Sequence, residues 1–462
     1  DKGKLAPIKR VVAFVGKFAD WKRLDAVLYA AAAYEKTFPD LATVIVGSGP
    51  PEAVTLYEGL AVKLGLQRTF FVGAKGQDVL AELFSMSEVG MFPSYKEPFG
   101  MVFIECMACG TPTIGANSGG PTEFVRPEQG VLVPEEEDWR SEAGAKRLGE
   151  TVAGAVTTAL NEDWKGKTKG PACVPFVREA YSTLAQCQGM LDNMAEWSAP
   201  SKPETLMFHI GTNNWQRQGE FAPGSGILHA SMHDTFNSMP GVKCYGIYPS
   251  KSQTGPEAGE EDNFRVFKLD HDIPICESVS PNSSYRWHSM NDEQFAAYRQ
   301  RLENEVCQYM DEIEKREGKE FDCLITHHAF TNAMTGAQIL ERRRKEGKTK
   351  LKHFNFVHGT ALKMYIKEKE KDPEYPERFL PLCQKHGVFT GDAQCSGIWV
   401  NSEDYINKFV DCFPEYPKSK LLFSRIGVNQ NIFCPKGSTV KDLAKHVREA
   451  DKGKLAPIKR VV

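Results

Sequence analysis

Short, wholly apolar runs recur along the first part of the chain with a helix-length segment behind each, and this alternation restricts the fold more than any other feature. KRVVAFV leads through GKFADWK into LDAVLYAAAAYEKTF, and LATVIV ends in the glycine turn GSGP. TFFVGAKGQDVLAELFSMSEVGMFPS then supplies two further strand and helix steps. Apolar runs without polar alternation suit strands buried on both faces. Such strands, separated by helices, are parallel, so an α/β class with a parallel sheet follows. With 462 residues the chain is long for one domain and suits two of ordinary size.

Composition excludes several classes of function. A formal net charge of −3 makes no electrostatic case for nucleic acid. No apolar run approaches the length needed to span a bilayer, and DKGKLAPIKR lacks the apolar core of a signal peptide, so the expected location is cytoplasmic. Stable membrane insertion is not expected, and peripheral contact stays open. The 12 cysteines follow no disulfide rhythm in a chain large enough to need none, which predicts reduced thiols. Cys106 and Cys109 form a CxxC without a second pair at zinc spacing, so they read as buried thiols and no metal site is expected.

The stretch with chemistry in it is EPFGMVFIE, Glu97 to Glu105. It follows an apolar run and a loop, and it leads into ECMACGTPTIGANSGGPTEFV, so two carboxylates flank a helix start. A helix N-terminus presents unpaired N–H groups and a positive dipole end, which suit a diphosphate or sugar hydroxyls. Helical rise throughout would separate the two glutamates by roughly 12 Å, about the span from sugar to ribose in a nucleotide-sugar. By spacing alone the pair is better read as a solvated helix start. The surroundings change that reading.

PS, EPFG, a second Glu, ACGTP and a GG loop before Glu123 together resemble the donor-binding signature of retaining glycosyltransferases of the GT-B fold. These form glycosyltransferase family 4, related to sucrose synthase and glycogen synthase, and the signature runs unbroken from Pro93 to Glu123. The resemblance implies two Rossmann-like domains with parallel sheets facing across a cleft. It implies transfer of a hexosyl group from a nucleotide-sugar, UDP-glucose by family frequency, to a hydroxyl acceptor with retention. The acceptor class spans sugars, glycans, lipids and small molecules. No metal or other cofactor is implied, because Lys17 and Lys22, after Gly16, would grip the diphosphate; Lys17 stands where Arg is commoner. Ala74 and Lys75 would meet the nucleobase. Glu97 would hold sugar hydroxyls, Glu105 the ribose, and the backbone of Phe99, Gly100, Met101 and Val102 the sugar and phosphate. His358, in HGTAL, would orient the sugar. Gly224, Ser225 and Gly226, ahead of a helix, would face the donor from the other domain, and His327 and His328 would lie on the acceptor side. The same fold serves phosphorylases and nucleotide-sugar epimerases, and a non-catalytic nucleotide-sugar or glycan-binding protein would share the site.

The order of the halves is unusual. DKGKLAPIKRVV, residues 1–12, recurs letter for letter at 451–462, so the sequence closes on itself as one period of a tandem repeat or circularly assembled reading frame does. Residues 1–200 therefore read as the usual second, donor-binding half and 204–450 as the usual first, acceptor-side half, with 451–462 a loose duplicate. A natural permutation, an engineered one and an artefact of assembly all produce this pattern. WSAPSKPE is the expected linker. Ile426 and Asn429 depart from the family's usual Asn and Asp near the hinge. The stretch 255–291 reads as loop, and the basic run ERRRKEGKTKLK as a solvated helix end.

Overall fold

The computed structural model describes residues 8–198, 204–211, 224–250, 263–268, 291–358 and 394–447, with 362, 366, 370 and 389 as isolated positions. The expected linker core, the duplicate 451–462 and the GTA of HGTAL lie outside the described residues. The chain divides into two units. The first runs to Ala185 and takes up the chain again from Ile426; the second lies between Gln186 and Arg425.

In the first unit the strands are β1 (Arg10–Val15), β2 (Leu41–Val46), β3 (Thr69–Gly73), β4 (Val89–Phe92), β5 (Thr113–Ala116) and β6 (Gly130–Val133). Between them come helices α1 (Leu24–Thr37), α2 (Pro51–Lys63), α3 (Gln77–Met86), α4 (Met101–Ala108) and α5 (Pro121–Phe124). All pairings are parallel, in the order β3-β2-β1-β4-β5-β6. This is the Rossmann order, in which the connections reverse direction between β1 and β4. Period-two alternation divides the side chains. Val12, Leu41 and Ile45 pack under α1, α2 and α6 (Glu142–Asn161), whereas Val11, Val44, Val46 and Phe70 face α3. The polar stretch after Pro134 thus contains an amphipathic helix, with Leu148, Val152 and Val156 buried on one side.

Helices α7 (Gly170–Ala180) and α8 (Thr183–Ser198) follow, and the division between units falls within α8. The returning segment is stitched to the first unit. Val428 donates to Tyr181 O at 2.8 Å and accepts from Thr183 N at 3.1 Å, and Leu443 and Val447 join the cluster formed by Val11, Val44 and Phe70.

The second unit repeats the plan. Its strands are β7 (Thr205–Ile210), β8 (Val242–Ser250), β9 (Phe264–Lys268), β10 (Cys323–His327), β11 (Lys352–Val357), β12 (Gly397–Val400) and β13 (Leu421–Phe423). They are parallel in the order β13-β12-β11-β10-β7-β8-β9, with a reversal between β7 and β10. Helices α9 (Gly224–Ser238), α10 (Asp292–Glu317), α11 (Thr331–Lys345) and α12 (Glu403–Cys412) complete it. The α/β class with two Rossmann-like parallel sheets is therefore present. Two local expectations are corrected. The stretch read as loop holds β9, an edge strand whose Phe264 and Phe267 are buried. The basic run is not wholly solvated, because Arg343 is fully buried on α11 and ion-pairs with Asp311 and Glu314 of α10 at 2.5 Å.

Removing one partner of a buried ion pair strands the other charge. Arg343→Ala is expected to cost the second unit about 3 kcal/mol, the low end of that range because Lys348 still reaches Glu314 at 2.7 Å. Arg343→Met, which keeps the packing stem, is expected to cost less than Ala. Urea midpoints of the wild type and the two variants check this: a wild-type midpoint in both would mean that the pair carries no weight.

Candidate functional site

In open α/β sheets a crevice forms outside the carboxyl ends of the strands where the order reverses. In the first unit that place lies between β1 and β4, and the candidate residues follow those two strands. Gly16, Lys17 and Lys22 follow β1, and Glu97 follows β4. Lys22 Nζ lies 2.6 Å from Glu97 Oε2, with the side chains only 15% and 9% exposed. A charge-assisted contact at this distance, partly shielded from water, holds both groups in one geometry. Lys22 also sits over the Trp21 ring, 4.3 Å from its centroid, and Trp21 O accepts from Tyr95 N at 2.7 Å, tying the two loops together. Lys17 is exposed.

The loop holding Glu97 is fixed by its own backbone. Gly120 N donates to Glu97 O at 2.7 Å, and Lys96 N donates to Ser118 Oγ at 2.9 Å. Gly119 has φ +69°, and a Cβ there would stand 2.3 Å from Glu97 O. Only glycine satisfies both the conformation and the close approach. Phe99 is buried against Phe124 and Tyr181, and Gly100, with φ +102°, turns the chain into α4. The helix begins only at Met101, so helical rise does not apply from Glu97 to Gly100 and the 12 Å estimate is superseded. Met101 and Val102 occupy the first turn and Glu105 the second.

Glu105 differs from Glu97 in its electrostatics. Burial alone pushes its carboxyl from an ordinary 4.5 up to about 7, with no cation or hydrogen bond among the described residues to hold it down. Ala74 and Lys75 lie in the loop after β3, half-buried, on the same carboxyl-end side of the sheet. Cys106 and Cys109 are free and buried, as expected of core thiols. A cavity of about 570 Å³ in this unit, lined by Ser85, Glu88, Cys109, Lys165 and Lys436 among others, contains none of the predicted site residues.

The remaining candidates belong to the second unit. Gly224, Ser225 and Gly226 form the first turn of α9. His358, just past β11, is buried, and burial pushes its imidazole down to about 3, so it is neutral. Its Nε2 lies 2.9 Å from His327 Nδ1 and 3.3 Å from His229 Nε2. His327 in turn contacts His209 at the end of β7. Sequence reading passed over His209, His229 and His233. The last two stand four residues apart in HASMH, a spacing that places both on one face of a helix and marks a pair worth testing.

The family model described as Glycosyl transferases group 1 matches residues 1–148. That span holds the Lys22–Glu97 pair. The D-inositol 3-phosphate glycosyltransferase of Rhodococcus opacus (strain B4) is 37% identical over 181 residues, 36% of this chain and 40% of the relative. The protein of the same description from Mycobacteroides abscessus is 37% identical over 227 residues, 46% of this chain and 45% of the relative. The chain thus spans less than half the length of these curated relatives. Among solved structures, sucrose-phosphate synthase (tll1590) from Thermosynechococcus elongatus aligns at 30% identity and TM-score 0.35, covering 41% of this chain and 46% of that one. Among the described residues no helix is long and apolar enough to cross a membrane.

Two outcomes test the site's construction. Because the folded protein keeps the Glu105 proton up to about 7 while the unfolded chain releases it near 4.5, stability falls as pH rises between these values. At about 1.4 kcal/mol per pH unit the loss reaches up to about 3 kcal/mol. Glu105→Gln is therefore expected to gain on the wild type between pH 5 and pH 7.5 in denaturation midpoints, and a pH-independent difference would refute the desolvation. Gly119→Ala is expected to destabilise the first unit by about 1–3 kcal/mol through strain at φ +69°, read by thermal melting; an unchanged melting temperature would show that the loop yields freely.

Proposed function

We propose that the protein is a retaining glycosyltransferase that moves a hexosyl group from a nucleotide-sugar, UDP-glucose being the first candidate, to a hydroxyl acceptor without a metal ion. The observation that carries the proposal is the Lys22–Glu97 pair at the strand-order reversal of the first sheet. A cation beside a carboxylate at that crevice offers one group to a diphosphate and the other to sugar hydroxyls. The family match over residues 1–148 supports the donor chemistry. The acceptor is read no more finely than a sugar, glycan, lipid or small molecule, and the inositol phosphate of the relatives' description is the first to try.

In this reading Lys17 and Lys22 offset the charge that develops on the leaving diphosphate, the part a divalent ion plays elsewhere. The amides of Gly100, Met101 and Val102 at the start of α4 bind sugar and phosphate oxygens, with Phe99 packing beneath them. Glu105, desolvated and without a partner among the described residues, is suited to exchange hydrogen bonds with ribose hydroxyls. Ala74 and Lys75 flank the base. Neutral His358 orients the sugar, and the amides of Gly224, Ser225 and Gly226 face the phosphates. The leaving phosphate takes the acceptor's proton on the face it departs from, so no protein nucleophile is invoked. The halves follow one another in exchanged order, and the site of action is cytoplasmic.

A thermal-shift and turnover panel of UDP-, GDP- and ADP-sugars, with and without EDTA, tests this on the wild type, Glu97→Ala and Lys22→Ala. One nucleotide is expected to raise the melting temperature, with slow EDTA-insensitive donor hydrolysis falling at least about 100-fold in both variants, as loss of an electrostatic stabiliser implies. Sugar 1-phosphate formed only with inorganic phosphate would replace the reading with a phosphorylase, and stabilisation without any turnover would leave a binding protein. If no nucleotide-sugar shifts the melting temperature, the donor site itself is misassigned.

A further inference from the structure

The second sheet has its own reversal, between β7 and β10, and imidazoles gather there. His209 lies near the end of β7, His327 ends β10 with His328 next to it, and His358 follows β11. His229 and His233 stand one turn apart on α9, the helix that follows β7. All are buried. His229 is fully buried, and its Nδ1 has no hydrogen-bond partner among the described residues.

Three of these rings converge. One ligand nitrogen from each of His229, His328 and His358 lies within 4.8 Å of the other two. The His229 and His358 Nε2 atoms are 3.3 Å apart. Two nitrogens bound at about 2.0–2.1 Å to a tetrahedral ion stand about 3.3–3.4 Å from each other. His229 stands on α9, and His328 and His358 come directly after the paired strands β10 and β11, so the packed sheet positions the set. Imidazole alone selects zinc, cobalt, nickel or copper over magnesium or calcium, which demand oxygen.

We propose that His229, His328 and His358 form a three-imidazole site for a divalent transition-metal ion of the zinc class, with a fourth position for an anionic oxygen ligand. Three neutral ligands leave the ion's charge uncompensated in a buried setting, and a hydroxide, carboxylate or phosphate oxygen at the fourth position offsets it. Loading displaces the hydrogen bond between His327 Nδ1 and His358 Nε2. It also occupies the His358 nitrogen, so a bound ion would inhibit any reaction in which that nitrogen meets substrate. The metal-independence proposed for transfer is untouched, and the site stands or falls on metal uptake whether or not the chain is a transferase. A second group, His209, His233 and Cys244, also lies within ligand reach. It is less ready, because burial pushes the Cys244 thiol well up and the thiol must lose its proton to bind.

The full chain, stripped with chelator, is titrated with cobalt(II) and then zinc(II). About one ion per chain is expected, with the intense visible bands of four-coordinate cobalt that zinc abolishes. X-ray absorption at the zinc edge is expected to show a nitrogen and oxygen shell with imidazole scattering. His229→Ala and His328→Ala are expected to weaken binding at least about tenfold, the lower bound even for a change outside the ligand shell, while His233→Ala leaves it unchanged. The wild-type absorption spectrum decides the matter should the variants fail to fold. No uptake at micromolar metal overturns the proposal, as does a sulfur scatterer at about 2.3 Å, which would assign the ion to the Cys244 group.

Discussion

A parallel strand has no face to leave in water, since both faces of its sheet are lined by apolar side chains and both must be covered. Everything else in this chain answers to that requirement. In the first unit one face is closed by local helices, α1, α2 and α6, and the other by α3 together with the segment that returns from Ile426. Covering both faces pushes polar chemistry to the strand ends. The two reversals of strand order, between β1 and β4 and between β7 and β10, are where it collects. The first reversal gathers a lysine and a glutamate, the second a set of neutral imidazoles.

The two sites differ in how their charges are kept. Lys22 and Glu97 pair with each other at 2.6 Å, so each charge has its counter-charge in the empty crevice. In the proposed transferase an arriving diphosphate competes for the lysine and frees carboxylate oxygens for hydroxyls. The histidines are neutral because burial suppresses protonation. Glu105 follows the same logic from the acidic side, its carboxyl pushed up by burial with no partner among the described residues.

The strands of the first sheet were legible because the information is local, whereas their order was not. Each strand is an unbroken apolar run, and Lys22 and Glu97 each lie a short loop beyond a strand that periodicity alone reveals. The features that escaped are those decided by distant neighbours. Arg343 sits in a run of like charges, and only Asp311 and Glu314 on α10 make its burial tolerable. In β9 the short sequence FRVFK sits among polar residues, and its place is settled by pairing with β8. The histidine set draws on four segments, and no one of them signals it; His358 was singled out through the resemblance, whereas His229 waited for the fold to bring α9 beside β10 and β11.

The return of Ile426–Val447 to the first unit makes the second unit an insertion. Leu443 and Val447 pack with Val11, Val44, Val46 and Phe70, which precede them by the whole length of the inserted unit. During synthesis, therefore, the first sheet is made before the segment that completes the cover of its α3 face, with the whole second unit between them. Until that segment arrives, the apolar residues it covers are exposed to other chains. The unit that is made in the middle is the one free to finish folding first.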